Sequence, residues 1–228
     1  MTLAPVALLA AGLVAVAIPS RLPNAQMSVA SWFKVLRSGS LLCLLAATVA
    51  SMCGQFLVLT YIQPLLRDSF GAGPMLITMI LLIYGLAGLV GNGGASHYVT
   101  RFGLDRMVHG LFAAVLIGFL LMSVSFGSLW VFGLGLTAWG LGSFASNSLQ
   151  QARLVAIDPP MAAASVALNT SSVYLGQAMG AAAGGRLYAS GALWAFGPVA
   201  ALVLLCAVAF SLAGDRSRDK PELASVNS

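Results

Sequence analysis

Residues 91–106 read Gly91-Asn92-Gly93-Gly94-Ala95-Ser96-His97-Tyr98-Val99-Thr100-Arg101-Phe102-Gly103-Leu104-Asp105-Arg106. This stretch closes a run free of Asp, Glu, Lys and Arg that extends from Ser69 to Thr100, and it precedes a second such run from Met107 to Ala152. Charge is thus confined to a short connection between long apolar segments, and a helix crosses a bilayer with about 20 apolar residues. The same punctuation recurs along the chain. Charge-free gaps lie before Arg21 and over Arg37 to Arg67, Pro159 to Gly185 and Leu187 to Gly214. The gap from Met107 to Ala152 has twice the usual length and breaks at Phe126-Gly127-Ser128, as a helical hairpin would. Seven spans are expected, near 3–19, 39–62, 74–96, 107–125, 129–152, 163–186 and 191–213. Their continuous apolarity points to helices, because barrel strands alternate over about 10 residues. The fold class is therefore an all-α membrane protein.

Composition agrees. Of 228 residues, 59% are hydrophobic and 7% are charged, against about 25% charged in an ordinary soluble domain. The mean hydropathy is +0.94. A soluble enzyme, a disordered chain and a nucleic-acid-binding domain are excluded. The net charge of +5 comes from basic residues scattered singly, with no stripe for a nucleic acid. In a membrane protein such an excess marks cytoplasmic loops. Nine basic residues (Arg21, Lys34, Arg37, Arg101, Arg106, Arg153, Arg216, Arg218 and Lys220) fall on one side of the expected topology, and Arg67 and Arg186 on the other. The N-terminus is therefore expected outside and the C-terminus in the cytoplasm. Ala15-Val16-Ala17 resembles a signal-peptide cleavage site, but no basic segment precedes the apolar run. Residues 20–38 form a basic linker on the cytoplasmic side, with an amphipathic stretch at Trp32, Phe33, Val35 and Leu36. Residues 214–228 are polar, contain Pro221 and are expected to be a disordered tail.

The spans hold little reactive chemistry. None has an ionisable residue away from its ends, so no carboxylate for proton coupling is apparent in this chain. His97 and His109 flank the connection after the third span and are expected to be interfacial polar residues. Cys43, Cys53 and Cys206 lie in apolar runs without metal-ligand spacing, so no metal, cofactor or disulfide is expected. Serine-protease, zinc-protease and phosphate-loop motifs are absent, which argues against an enzyme. What the spans do hold is small and amide residues. Gly176, Gly180 and Gly184 repeat every four residues, and Gly85, Gly88 and Gly91 mark the third span. Small faces let helix backbones approach closely, in static packing or at a surface that slides. Gln55, Asn147 and Gln177 are amides at membrane depth, which need protein partners or a wet cavity.

The 91–106 stretch resembles the loop between spans 8 and 9 of the major facilitator superfamily. Its pattern runs roughly G-N-x-x-G-G-x-x-x-D-R-x-G-x-R-R. Gly91, Asn92, Arg101, Gly103 and Arg106 match, whereas Ala95 and Ser96 replace the paired glycines, Thr100 the aspartate and Asp105 an arginine. Thr60-Tyr61-Ile62-Gln63-Pro64-Leu65-Leu66 is similar to the end of span 7 in the sugar- and drug-efflux (arabinose-efflux-permease-like) branch. Gln150-Gln151-Ala152-Arg153 through Pro159, Ala167-Leu168-Asn169-Thr170 and Gly176 to Gly185 look like the loop before span 11 and span 11 itself.

The resemblance implies that 1–19 is span 6, 20–38 the central cytoplasmic loop and 39–213 the six-helix C-terminal bundle, with spans 1–5 missing. It also implies secondary-active, proton-coupled efflux of a small molecule such as a sugar or drug, with the coupling acids in the missing half. Gln55, Tyr61, Trp139, Asn147 and Gln177 are the expected substrate contacts. Gly91, Asn92, Arg101 and Arg106 are the expected cytoplasmic gate, and Gly176, Gly180 and Gly184 a packing face. The expected partners are the lipid bilayer, a small-molecule substrate and either the N-terminal half or a second membrane chain. A half alone would expose a partly polar face to lipid, so it is not expected to transport by itself. A fragment of a longer transporter, a half that pairs with itself or another chain, a non-transporting remnant and an accessory subunit all remain open.

Overall fold

A computed structural model describes residues 37–125 and 127–226. The expected first span and nearly all of the central loop lie outside the described residues. Seven helices follow one another: α1 (Gly39–Leu59), α2 (Ile62–Phe70), α3 (Pro74–Phe102), α4 (Leu104–Ser123), α5 (Leu129–Ile157), α6 (Ala162–Ala189) and α7 (Phe196–Val226). No strand occurs among the described residues. With no water in a bilayer core, a helix satisfies its own backbone groups, which is why long uncharged runs adopt it.

The boundaries depart from the expected ones where a breaker was misjudged. The third span does not end at 96. Nothing between His97 and Phe102 stops a helix, and α3 continues to Gly103, whose φ of 81° opens the turn into α4. The 91–106 stretch is thus mostly helix with a one-residue turn. The second span ends early, at Leu59, and the chain kinks through Thr60 and Tyr61 into the short helix α2, which buries Ile62, Leu65 and Leu66. The hairpin break at 126–128 stands where expected, with Gly127 at φ 83°. The tail expected to be disordered instead extends α7 to Val226. Its first residues are held: the Ser40 hydroxyl donates to the Gly214 carbonyl at 2.9 Å, and Arg153 binds Asp215.

The six long helices form two groups of three. α1 packs against α6 and α7, while α5 packs against α3 and α4. The groups meet along α4–α7, α5–α6 and α1–α5. The core at the junction gathers Leu57, Phe119, Leu136, Trp139 and Leu204, all essentially inaccessible. Five segments are long and apolar enough to cross a membrane: α1, α3, α4, α5 and Leu193–Arg216. α6 has the length (28 residues) but not the apolarity. Its exposed residues mix Thr170, Ser171, Ala178 and Ala182 with Tyr174, Leu175 and Met179, whereas α7 exposes Leu202, Leu205 and Phe210.

α6 is held by backbone approach. Gly176, Gly180 and Gly184 are buried and lie on the carbonyl oxygens of Val49, Cys53 and Leu57, the matching four-residue row of α1. A Cβ at any of the three would overlap that row. Apolar side chains gain nothing by leaving lipid for protein, so such close packing carries the association. Gly180→Ala is expected to destabilise the bundle by about 1–3 kcal/mol, the usual cost of overpacking. Gly85→Ala, where nothing lies within 4 Å, should be neutral or stabilising by up to about 1 kcal/mol through helix propensity. Melting of both variants in detergent checks the contrast, and equal melting would reject the role given to the α6 row.

Candidate functional site: an amide-lined cavity and a buried arginine

α1, α3, α5 and α6 line an open cavity of about 250 Å³. Gln55 comes from α1, Asn147 from α5 and Gln177 from α6, so three of the five expected substrate contacts converge. The remaining wall is mainly apolar, with Met52, Phe56, Leu59, Phe144 and Val173. Tyr84 and Ser143 also line it and were not among the expected contacts. A phenol in the middle of the apolar run of α3 was the available signal for Tyr84. Ser143 stood in a polar cluster and could be singled out only once its partners were known.

Hydrogen bonds fix this wall. Helical spacing puts Ser51 one turn before Gln55, and Gln55 Nε2 donates to Ser51 Oγ at 3.1 Å. The same spacing on α5 brings Trp139 and Ser143 together onto Gln55 Oε1, with Trp139 Nε1 donating at 3.1 Å and Ser143 Oγ at 2.7 Å. Tyr84 lies 2.9 Å from Ser143 Oγ, and its ring packs on Trp139 at 4.8 Å between centroids. Asn147 Oδ1 is buried and finds no hydrogen-bond partner among the described residues.

The other two expected contacts do not reach the cavity. Trp139 is fully buried behind Gln55 and is not among the residues that line it. Tyr61 lies past the end of α1, at the kink, where it stacks on Tyr188 at 5.6 Å and packs against Phe196. Nearby, the Tyr188 hydroxyl donates to Asp68 of α2 at 2.9 Å.

The expected gate residues are dispersed. Gly91 backs onto Leu141 of α5, and Asn92 is exposed beside Gly88 and Phe144. Arg101 and Arg106 are exposed, and Arg101 lies over the Phe102 ring at 5.6 Å. Thr100 bonds only locally, to the His97 carbonyl. The charge that joins helices at this end is Arg153, which is 1% exposed. It donates through Nε to Asp105 Oδ1 on α4 at 2.8 Å, through Nη1 to Gln150 and Ser211, and through Nη2 to Asp215 on α7. His109 Nε2 lies 3.1 Å from Ser211 Oγ and 3.4 Å from Asp215. Asp105, a departure from the superfamily loop pattern, is therefore a bridge to α5. Arg153 read as one more loop charge because its partners lie 48 and 62 residues away.

The Major Facilitator Superfamily model matches residues 44–227. The chain is a multi-pass membrane protein that belongs to that superfamily. It is 27% identical over 213 residues to the inner membrane transport protein YdhP of Escherichia coli (strain K12), which covers 92% of this chain and 53% of the relative. It is also 27% identical over 184 residues to the uncharacterized MFS-type transporter YbcL of Bacillus subtilis (strain 168), covering 80% of this chain and 47% of that protein. The chain spans about half the length of the curated relatives it matches.

Removing one member of a buried charge cluster strands the others. Arg153→Met is therefore expected to destabilise the bundle by about 3 kcal/mol, whereas Arg101→Ala should change stability by less than about 0.5 kcal/mol. Melting of the purified chain checks both, and an unaffected Arg153→Met would reject the cluster as a structural tie.

Proposed function

We propose that this chain forms the C-terminal half of a secondary-active transporter that exports an uncharged or weakly polar small molecule, such as a sugar or drug, driven by the proton gradient. The observation that carries the reading is the cavity into which three helices each direct an amide. Amides at membrane depth need polar partners, and a ligand that displaces water can supply them. Transporters built from related halves hold substrate near the bilayer midplane between them and rock to change access. Gln55, Asn147 and Gln177 are the contacts proposed on this half. Trp139 acts through Gln55, and Tyr61 stands at the outer end.

The remaining wall is proposed to come from an N-terminal half or a second membrane chain, which would also supply the coupling acid. The polar and small residues that α6 exposes among Tyr174, Leu175 and Met179 support such a cover, since a surface wholly against lipid would favour residues like those of α7. The basic residues support a cytoplasmic C-terminus in an inner membrane. Gly91, Asn92, Arg101 and Arg106 then sit at the cytoplasmic mouth, with the Arg153 cluster tying α4, α5 and α7 beneath them. The reading is of a transporter and not of an enzyme.

Vesicles containing this chain alone should show no substrate-dependent proton movement across a panel of sugars and drugs. Co-expression with the complementary half should restore it. In the restored protein, Asn147→Leu or Gln177→Leu should lower export at least about tenfold at unchanged membrane levels, the scale of one lost hydrogen bond with its partner left buried. Flux from this chain alone would overturn the half-transporter reading, and unchanged export in both variants would overturn the contacts.

A further inference from the structure

The hydrogen-bond directions around Gln55 can be assigned from donor chemistry alone. Trp139 Nε1 can only donate, so the Gln55 atom facing it is the carbonyl oxygen and the amide has one possible orientation. Ser143 also approaches that oxygen, so its single hydroxyl proton is committed to Gln55. Ser143 then has no proton left for Tyr84. The Tyr84 hydroxyl must donate to Ser143, and its own lone pairs remain free. Both acceptor positions of Gln55 Oε1 are filled, and one N–H of its amide is taken by Ser51. What Gln55 has left is one N–H donor. What Tyr84 has left is an acceptor.

From this we infer the class of ligand the cavity takes: an uncharged molecule with an apolar or aromatic body and one polar end carrying both a hydrogen-bond donor and an acceptor, such as a primary amide. Tyr84 meets the ligand's donor, Gln55 meets its acceptor, and the Gln177 amide on the same wall can serve as either. The apolar body lies against Phe56, Phe144 and Val173. Among the described lining residues none carries a charge at neutral pH, so an ionic group here would be buried without a counter-charge, which is costly. The inference rests on the reading of this cavity as the transported molecule's site.

The test uses three probes on one skeleton: 4-phenylbutanamide, 4-phenylbutanoate and 4-phenylbutylammonium. The reporter is the whole chain carrying Trp32→Phe, Trp130→Phe and Trp194→Phe, so that emission comes from Trp139, whose N–H bonds Gln55. The amide is expected to shift that emission saturably, and the two ions to bind at least about tenfold more weakly because their charge is unpaired. Tyr84→Phe keeps the ring on Trp139 and should weaken amide binding about fivefold through the lost acceptor. An ion binding as well as the amide, unchanged amide binding in Tyr84→Phe, or no saturable shift with any probe would each overturn the inference. So would an equal response from a form whose only tryptophan is the exposed Trp130, which marks partition into detergent. Preferential amide binding by a protein whose restored two-half form moves no substrate would leave the ligand class standing and sink the transport reading instead.

Discussion

The structure depends on how closely α6 can lie on α1. In hydrocarbon the hydrophobic effect cannot press helices together, so van der Waals contact and hydrogen bonds must. Glycines at 176, 180 and 184 bring the α6 backbone onto the carbonyl row of α1. That approach places Gln177, next to Gly176, on the cavity that Gln55 borders from α1. A larger residue in the row would move α6 outward, and the amides would no longer share a cavity. α4 and α5 use the same device where Gly118 and Gly135 face each other, with each Cβ position within 2.7 Å of the other's carbonyl oxygen.

A second constraint acts on polar groups. A buried hydrogen-bonding group without a partner is costly in a low-dielectric interior. Gln55, Trp139, Ser143, Tyr84 and Ser51 meet it by bonding to one another across three helices. The network holds the cavity wall in one orientation, so few polar groups remain for a ligand. Arg153 meets the same constraint at the helix ends, where its guanidinium reaches both Asp105 and Asp215. Its fork geometry lets one side chain join α4, α5 and α7, which a lysine point charge would do poorly. The two networks divide the bundle's tasks: one shapes a neutral cavity, and the other pins helix ends together.

Superfamily membership and the polar exposed side of α6 are consistent with each other. The composition of a helix face follows the surroundings it meets. α7 presents leucines and Phe210, while α6 mixes threonine, serine and alanine with Tyr174, Leu175 and Met179. For the same reason α6 escapes a purely hydropathic criterion for a span although it is as long as its neighbours.

Much of this was legible in the sequence. The absence of charge over the five gaps that fall within the described residues marked the helices, because a bilayer-spanning helix needs such runs, and the spacing of Gly176, Gly180 and Gly184 marked a face built for close approach. Gln55, Asn147 and Gln177 stood out because amides are conspicuous in apolar runs. Direction and partnership were not legible. Whether Trp139 faces a ligand or supports Gln55 depends on which way a helix is turned against its neighbours, and residues one turn apart on α5 serve quite different ends. Tyr61 moved out of the cavity because a kink at Thr60 ended α1 early. Arg153 became a buried tie because Asp105 and Asp215, distant in the chain, close around it. Periodicity and composition are local properties that a linear chain carries in full, whereas hydrogen-bond partners and buried charge pairs exist only after packing chooses which helix faces meet.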